Sequence, residues 1–236
     1  MKKIIGIFPT IELFQSDDPY QDRYEFVNNY PKKVFESNAI AIGILLNNGD
    51  LNYDVLDMCD AFILPGGHKI NINIYRLLYY AYQNKKPVLG ICLGMQAMGV
   101  FSIILDECVH NNVNYLDSSK QSIIYDKVKK EHPMLERINN NIHLHEINRD
   151  NIDTARHNIK IDKNSLVHEL YNKDNISGVS RHGVKLNRVG SILSVVGKSD
   201  DGVIEIIENK ELKWVGTQYH IELESDSLIN KFIDLI

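Results

Sequence analysis

The stretch Pro87-Val88-Leu89-Gly90-Ile91-Cys92-Leu93-Gly94-Met95-Gln96 constrains this chain more than any other. Its apolar run ends at Ile91 and reads as a buried strand, and helical spacing begins at Leu93. The chain must therefore turn sharply at Cys92. Gly90 and Gly94 stand two positions to either side, where side chains would collide with the strand and helix that such a turn forces together. This is the layout of a nucleophile elbow with Cys in the place of Ser. The turn also sets the thiol at a helix N-terminus, whose partial positive charge favours thiolate. A structural cysteine wedged between strand and helix is the competing reading, and the paired glycines outweigh it.

Apolar runs at residues 4–8, 39–46 and 61–64 also read as buried strands, with helical periodicity between them over 24–36 and 74–83. Strand alternating with helix predicts an α/β fold, a doubly wound and mostly parallel sheet with helices on both faces. Residues 106–150 are polar and rich in Asn, Lys and His, so loops and short helices are expected there. Further strands are expected at 158–161, 192–197, 203–207 and 214–218, with a hairpin at Asp200-Asp201-Gly202 and a second turn at Glu208-Asn209-Lys210. A closing helix is expected from Ser225, as N-cap, to Ile236. No repeat or linker interrupts the chain, which predicts one domain over residues 1–236.

Composition narrows the function classes. A hydrophobic share of 44% with 24% charged residues is that of a globular protein able to build its own core. A net charge of −5 argues against a nucleic-acid partner. The run at 4–8 is broken by Pro9 and followed by Asp17-Asp18, too short for a signal sequence, and no stretch has the length of a membrane span. A cytoplasmic location without membrane association is the expectation. Cys59, Cys92 and Cys108 lack metal-ligand spacing and fit reduced thiols. His143, His145 and His157 are of a ligating type, but no cysteine or carboxylate completes a recognisable set in the sequence. They are expected to be solvated loop residues, with neither metal nor cofactor.

Acyl-transfer chemistry needs N–H donors for an oxyanion and a base with an orienting partner. Leu93, next after Cys92, supplies one donor. Ile63-Leu64-Pro65-Gly66-Gly67 is a strand followed by a glycine turn, one helix before the Cys92 strand, and would place a second donor, Gly67, at the same sheet edge. Among nine histidines, His220 is the best placed, just after the apolar run that ends at Tyr219. Glu222 follows two positions later, on the same side of an extended chain, where a carboxylate can hold the second ring nitrogen.

With these segments in place the chain resembles class I glutamine amidotransferase-like proteins, and within them the branch called peptidase family C26, which includes γ-glutamyl-γ-aminobutyrate hydrolases. The resemblance rests on Leu64-Pro65-Gly66-Gly67, on Gly90-Ile91-Cys92-Leu93-Gly94-Met95-Gln96, on Asp201-Gly202-Val203-Ile204-Glu205 and on Gly216-Thr217-Gln218-Tyr219-His220-Ile221-Glu222. It implies a flavodoxin-like sheet and a catalytic triad of Cys92, His220 and Glu222. It also implies a substrate-facing segment at Val179-Ser180-Arg181-His182-Gly183-Val184, where the hydrolase branch has Asn-Ser-x-His-His-Gln. Ser180 and His182 match; Gly183 and Val184 depart, as do Tyr219 in a usual Trp position and Ile221 in a usual Pro position.

The expected activity is hydrolysis of a γ-glutamyl amide through a γ-glutamyl thioester. Gly67 and Leu93 hold the oxyanion. Gly66, Gln96, Ser180, Arg181 and His182 face the substrate, with Arg181 and His182 setting leaving-group choice. The expected partner is a small γ-glutamyl molecule, and a homodimer is compatible with the sequence. Two alternatives stand beside this reading. One is a glutaminase subunit that passes ammonia to a separate synthetase. The other is a catalytically silent binding or regulatory member of the fold.

Overall fold

The computed structural model describes residues 1–10, 24–47, 50–68, 72–138, 152–225 and 227–236. In chain order these form β1 (Ile4–Ile7), α1 (Asn29–Glu36), β2 (Ile40–Gly43), β3 (Leu46–Asn47), β4 (Asp50–Leu51), α2 (Tyr53–Met58), β5 (Ala61–Leu64), α3 (Ile72–Gln83), β6 (Val88–Ile91) and α4 (Leu93–His110). There follow α5 (Ser118–Glu131), β7 (Leu135–Arg137), β8 (Arg156–Ile161), α6 (Leu166–Tyr171), β9 (Asn175–Val179), β10 (Val184–Leu186), β11 (Ser194–Ser199), β12 (Ile204–Asn209), β13 (Trp214–Thr217) and α7 (Leu228–Leu235).

Nine strands make one sheet in the order β2-β1-β5-β6-β13-β12-β11-β8-β9. From β2 to β13 every pairing is parallel. From β13 onward every pairing is antiparallel. The central strands β5 and β6 are buried at all positions, because helices cover both faces. Alternate strand residues feed two cores. Phe62, Leu64, Val88 and Trp214 pack with Leu77, Leu78 and Phe101 of α3 and α4. Ala61, Ile63, Leu89 and Val215 pack with Val34 of α1 and Phe232 of α7 on the opposite face. Each fully buried Leu or Phe stabilises by roughly 1.5–3 kcal/mol. The expected doubly wound α/β architecture is present, and its second half is built from antiparallel hairpins.

Several boundaries differ from the sequence expectation for identifiable reasons. α1 begins at Asn29 rather than at residue 24, because Pro31 is tolerated only in a helix's first turn. The Thr10–Glu25 bridge holds the preceding chain extended instead. Over residues 106–131 the polar stretch is more helical than expected: α4 runs to His110 and α5 spans 14 residues. Only a narrow stripe of α5, including Ile124 and Val128, is buried, so its helical period is hard to see among polar residues. Asp117 caps α5, its side chain accepting from Lys120 N–H at 3.2 Å. The cap of α7 is Ser227, not Ser225: its Oγ accepts from Ile229 N–H at 3.3 Å and donates to the Ile221 carbonyl at 3.0 Å. The hairpin at Asp200–Gly202 joins β11 to β12, with Gly202 at φ 84°. His143 and His145 lie outside the described residues. No described helix is long and apolar enough to cross a membrane.

Candidate active site

The carboxyl ends of β5, β6 and β13, three adjacent parallel strands, converge on Cys92. Cys92 sits between β6 and α4 at φ 50° and ψ −104°, a conformation that L-residues adopt only under constraint. The constraint is visible. Its N–H donates to the Thr217 carbonyl at 2.7 Å, and its own carbonyl accepts from Gln96 N–H at 3.1 Å as the first bond of α4. A Cβ on Gly94 would fall 2.1 Å from the Leu64 carbonyl oxygen, and one on Gly90 would fall 2.5 Å from the Met98 sulfur. Both glycines are thus demanded by close packing of the turn.

The Leu64-Pro65-Gly66-Gly67 turn lies over this cysteine. A Cβ on Gly66 would stand 3.2 Å from His220 Cε1 and 3.4 Å from Cys92 Cβ, and one on Gly67 would stand 3.1 Å from Leu93 Cδ2. Gly66 N–H donates to the Tyr30 hydroxyl at 3.0 Å. The Gly66 N–H is thereby occupied by Tyr30, and Gly67 packs against Leu93.

His220 follows β13, its N–H donating to the Val179 carbonyl at 2.9 Å. The chain then bends into a 3₁₀ turn, Ile221–Leu223. Glu222 therefore does not lie along an extended strand, as the spacing suggested; the turn folds it back. Its Oε1 meets His220 Nδ1 at 2.7 Å. Burial disfavours the charged ring, but the Cys92 sulfur and the Glu222 carboxylate outweigh it and raise the His220 pKa well above its ordinary value.

Tyr30 of α1 is a participant that the sequence did not reveal. Its hydroxyl donates to Glu222 Oε1 at 3.1 Å while accepting from Gly66. Burial, reinforced by Glu222, pushes the phenol pKa well above its ordinary value, so Tyr30 remains a donor. It stands 36 residues from Gly66 and 192 from Glu222, and no local motif marks it.

The other expected residues divide. Gln96 uses its amide N–H₂ on the Val184 carbonyl at 3.0 Å and on Gln218 Oε1 at 3.1 Å, so it ties the 180–184 segment to the exit of β13. Ser180 is fully buried, with its N–H donating to the Ala155 carbonyl at 2.7 Å. Arg181 is exposed. His182 is turned inward: Nδ1 lies 3.2 Å from the Val184 carbonyl and Nε2 lies 3.4 Å from Glu205. His157 is not a solvated loop residue. It sits on β8 with its side chain largely buried, Nε2 3.4 Å from the same Glu205 oxygen. The sheet brings in a carboxylate 48 positions away in sequence, which spacing could not show. Arg156, also on β8, forms a bidentate pair with Glu224 at 2.8 and 3.1 Å, bracing the chain beyond Glu222.

A thiol on a strained turn and an imidazole held by a carboxylate are components of acyl transfer to a cysteine. A family model described as peptidase C26 matches residues 73–222. A CTP synthase from Methanosphaera stadtmanae is 27% identical over 219 residues, covering 87% of this chain and 39% of the relative. The chain thus spans about two fifths of the length of the curated relatives it matches. Among solved structures, the glutaminase domain of Trypanosoma brucei CTPS with bound acivicin superposes with a TM-score of 0.67 at 16% identity, covering 99% of this chain and 92% of that one. A putative GMP synthase component from Thermoplasma acidophilum gives 0.60 at 12% identity, covering 100% and 92%. These structural likenesses establish the glutamine amidotransferase fold.

Proposed function

The chain belongs to the peptidase C26 family, and we propose that it hydrolyses a γ-glutamyl amide with Cys92 as nucleophile. The observation that carries this reading is the 2.7 Å contact between His220 Nδ1 and Glu222 Oε1 beside a cysteine held at φ 50°. Cys92 Sγ attacks the γ-carbonyl carbon. The carbonyl oxygen becomes an oxyanion held by the N–H groups of Gly67 and Leu93. His220 takes the thiol proton and delivers it to the leaving amine as the C–N bond breaks. Water, deprotonated by the same ring, then cleaves the γ-glutamyl thioester and restores the thiol. Glu222 orients the imidazole and stabilises its charged form. Gly66, Ser180 and the 180–184 segment shape the glutamyl side, and Arg181 favours an acidic leaving group. A single domain over residues 1–236 and a cytoplasmic location belong to the same proposal.

The test is an assay of the purified chain alone against a panel of γ-glutamyl amides, glutamine included, with Cys92→Ala as control. Turnover of at least one amide that vanishes in Cys92→Ala supports the proposal; equal rates in both proteins sink it.

A second reading has its own support, because the relative and the two solved structures are described as synthases or their glutaminase parts. Here the same chemistry supplies ammonia to a synthetase. It predicts that glutamine is the preferred amide and that its hydrolysis accelerates when a synthetase is added. Full activity alone, unaffected by any such partner, favours the free-standing hydrolase.

A further inference from the structure

We propose that His157, His182 and Glu205 form a binding site for one divalent transition-metal ion of the zinc class. The three come from β8, from the segment after β9 and from β12. Their ligand atoms all lie within 4.8 Å of one another. Glu205 is fully buried, and the side chains of His157 and His182 are 7% and 1% exposed.

Two independent features of the geometry point to a metal. The first is the spacing. Both Nε2 atoms lie 3.4 Å from the same Glu205 Oε1, longer than an N–H···O hydrogen bond, whose usual span is about 2.7–3.2 Å. A tetrahedral ion with bonds of about 2.0–2.1 Å separates its ligand atoms by roughly 3.3–3.4 Å, and His with carboxylate is a common zinc donor set. The second is the outer contact. The other ring nitrogen of His182 lies 3.2 Å from the Val184 carbonyl. That bond places the proton on Nδ1 and leaves the Nε2 lone pair facing Glu205, as histidines that bind metals are ordinarily held.

Among the described residues three protein ligands are offered, and a tetrahedral ion takes one further ligand. The ion joins two strands of the antiparallel half to the segment after β9. The Val184 carbonyl that fixes His182 also accepts from Gln96, one turn into α4 from Cys92. Metal occupancy therefore braces the segment proposed to face the substrate. Metal binding at this site can be measured without turnover at Cys92, so its test stands apart from that of the proposed hydrolysis.

The experiment is metal titration of the full chain after chelator treatment, with zinc in competition against a chromophoric chelator and with cobalt followed by its visible spectrum. One tight equivalent is expected. The cobalt spectrum should lack the near-ultraviolet thiolate-to-metal band, which separates this site from Cys92. Glu205→Gln and His157→Asn should each weaken binding by about tenfold or more. If Glu205→Gln does not fold, His157→Asn decides alone. Absence of stoichiometric binding by the wild type, unchanged affinity in a folded variant, or a thiolate band that disappears in Cys92→Ala each overturns the proposal.

Discussion

In the parallel half of the sheet, from β2 to β13, each group proposed for the chemistry hangs from the carboxyl end of a strand. In the antiparallel half, from β12 to β9, contacts to the site run through backbone carbonyls such as that of Val179 and through bracing side chains, with Ser180 and Arg181 proposed to face the substrate. The Leu64–Gly67 turn, Cys92 and His220 belong to the first half, and their positions follow from backbone geometry. Arg156, His157, His182 and Glu205 belong to the second half or its connections, and they act by bracing Glu224 and the 180–184 segment. Parallel strands connected through helices all end at one edge, so turns there are gathered without further design. Antiparallel hairpins send successive turns to opposite edges, so what they offer a site must cross the sheet as packing or ion pairing.

Five predictions break or sharpen this contrast. The largest effect belongs to the parallel half: Cys92→Ala should lower kcat by a factor on the order of 10^4 or more while leaving the melting temperature nearly unchanged. Activity within tenfold of wild type refutes the role of the turn. Next, His220→Ala should cost more in kcat than Glu222→Gln, because the carboxylate orients but does not transfer the proton; the reverse order would exchange their roles.

That second pair also has a pH signature. The folded pKa of His220 is raised, so its pairing contributes stability fully below the unfolded value of about 6.5 and loses it as pH rises through the folded value. The stability advantage of wild type over His220→Gln, read from urea midpoints, should shrink toward alkaline pH. A gap that widens contradicts the ion pairing.

The third prediction compares glycines from the two halves. Gly94→Ala drives a Cβ into a backbone carbonyl and should destabilise by about 3 kcal/mol. Gly202→Ala, in the β11–β12 hairpin at φ 84° with open space around it, should cost only about 1 kcal/mol through backbone strain. Equal urea midpoints for the two variants would remove the distinction between close packing and turn conformation.

The fourth concerns Tyr30, which spans the glycine turn and the carboxylate. Tyr30→Phe removes one hydrogen bond to a charged group and should lower kcat by about tenfold with KM little changed, roughly 1.5 kcal/mol. A change confined to KM would place Tyr30 in substrate binding instead. The smallest effect is expected at exposed Arg181: Arg181→Ala should raise KM for acidic leaving groups by about tenfold or less and leave neutral ones unaltered. Equal shifts for both classes would show that Arg181 does not read the leaving group.

The parallel half is also the more legible in sequence. The runs at 61–64 and 88–91 coincide with β5 and β6 at both bounds, because strands buried on both faces are apolar throughout. Periodicity alone overextends α1, since it runs through Pro31 into the preceding chain. It also misses α5, since only a narrow stripe of that helix is buried. Spacing pairs His220 with Glu222, although through an extended chain rather than the 3₁₀ turn that brings Oε1 to Nδ1.

What the sequence by itself determined is everything enforced within a few residues: the glycine bracket, the strained bend at Cys92, the glycine turn after β5, and the proximity of His220 to Glu222. These depend on steric limits of adjacent backbone, which residue types alone express. Only the tertiary structure decided which distant groups share a contact. Tyr30 meets Gly66 and Glu222, Gln96 ties down Val184 and Gln218, and Glu205 faces two histidines from separate segments. Strand order in a sheet brings such groups together, and strand order is set by the packing of both cores at once.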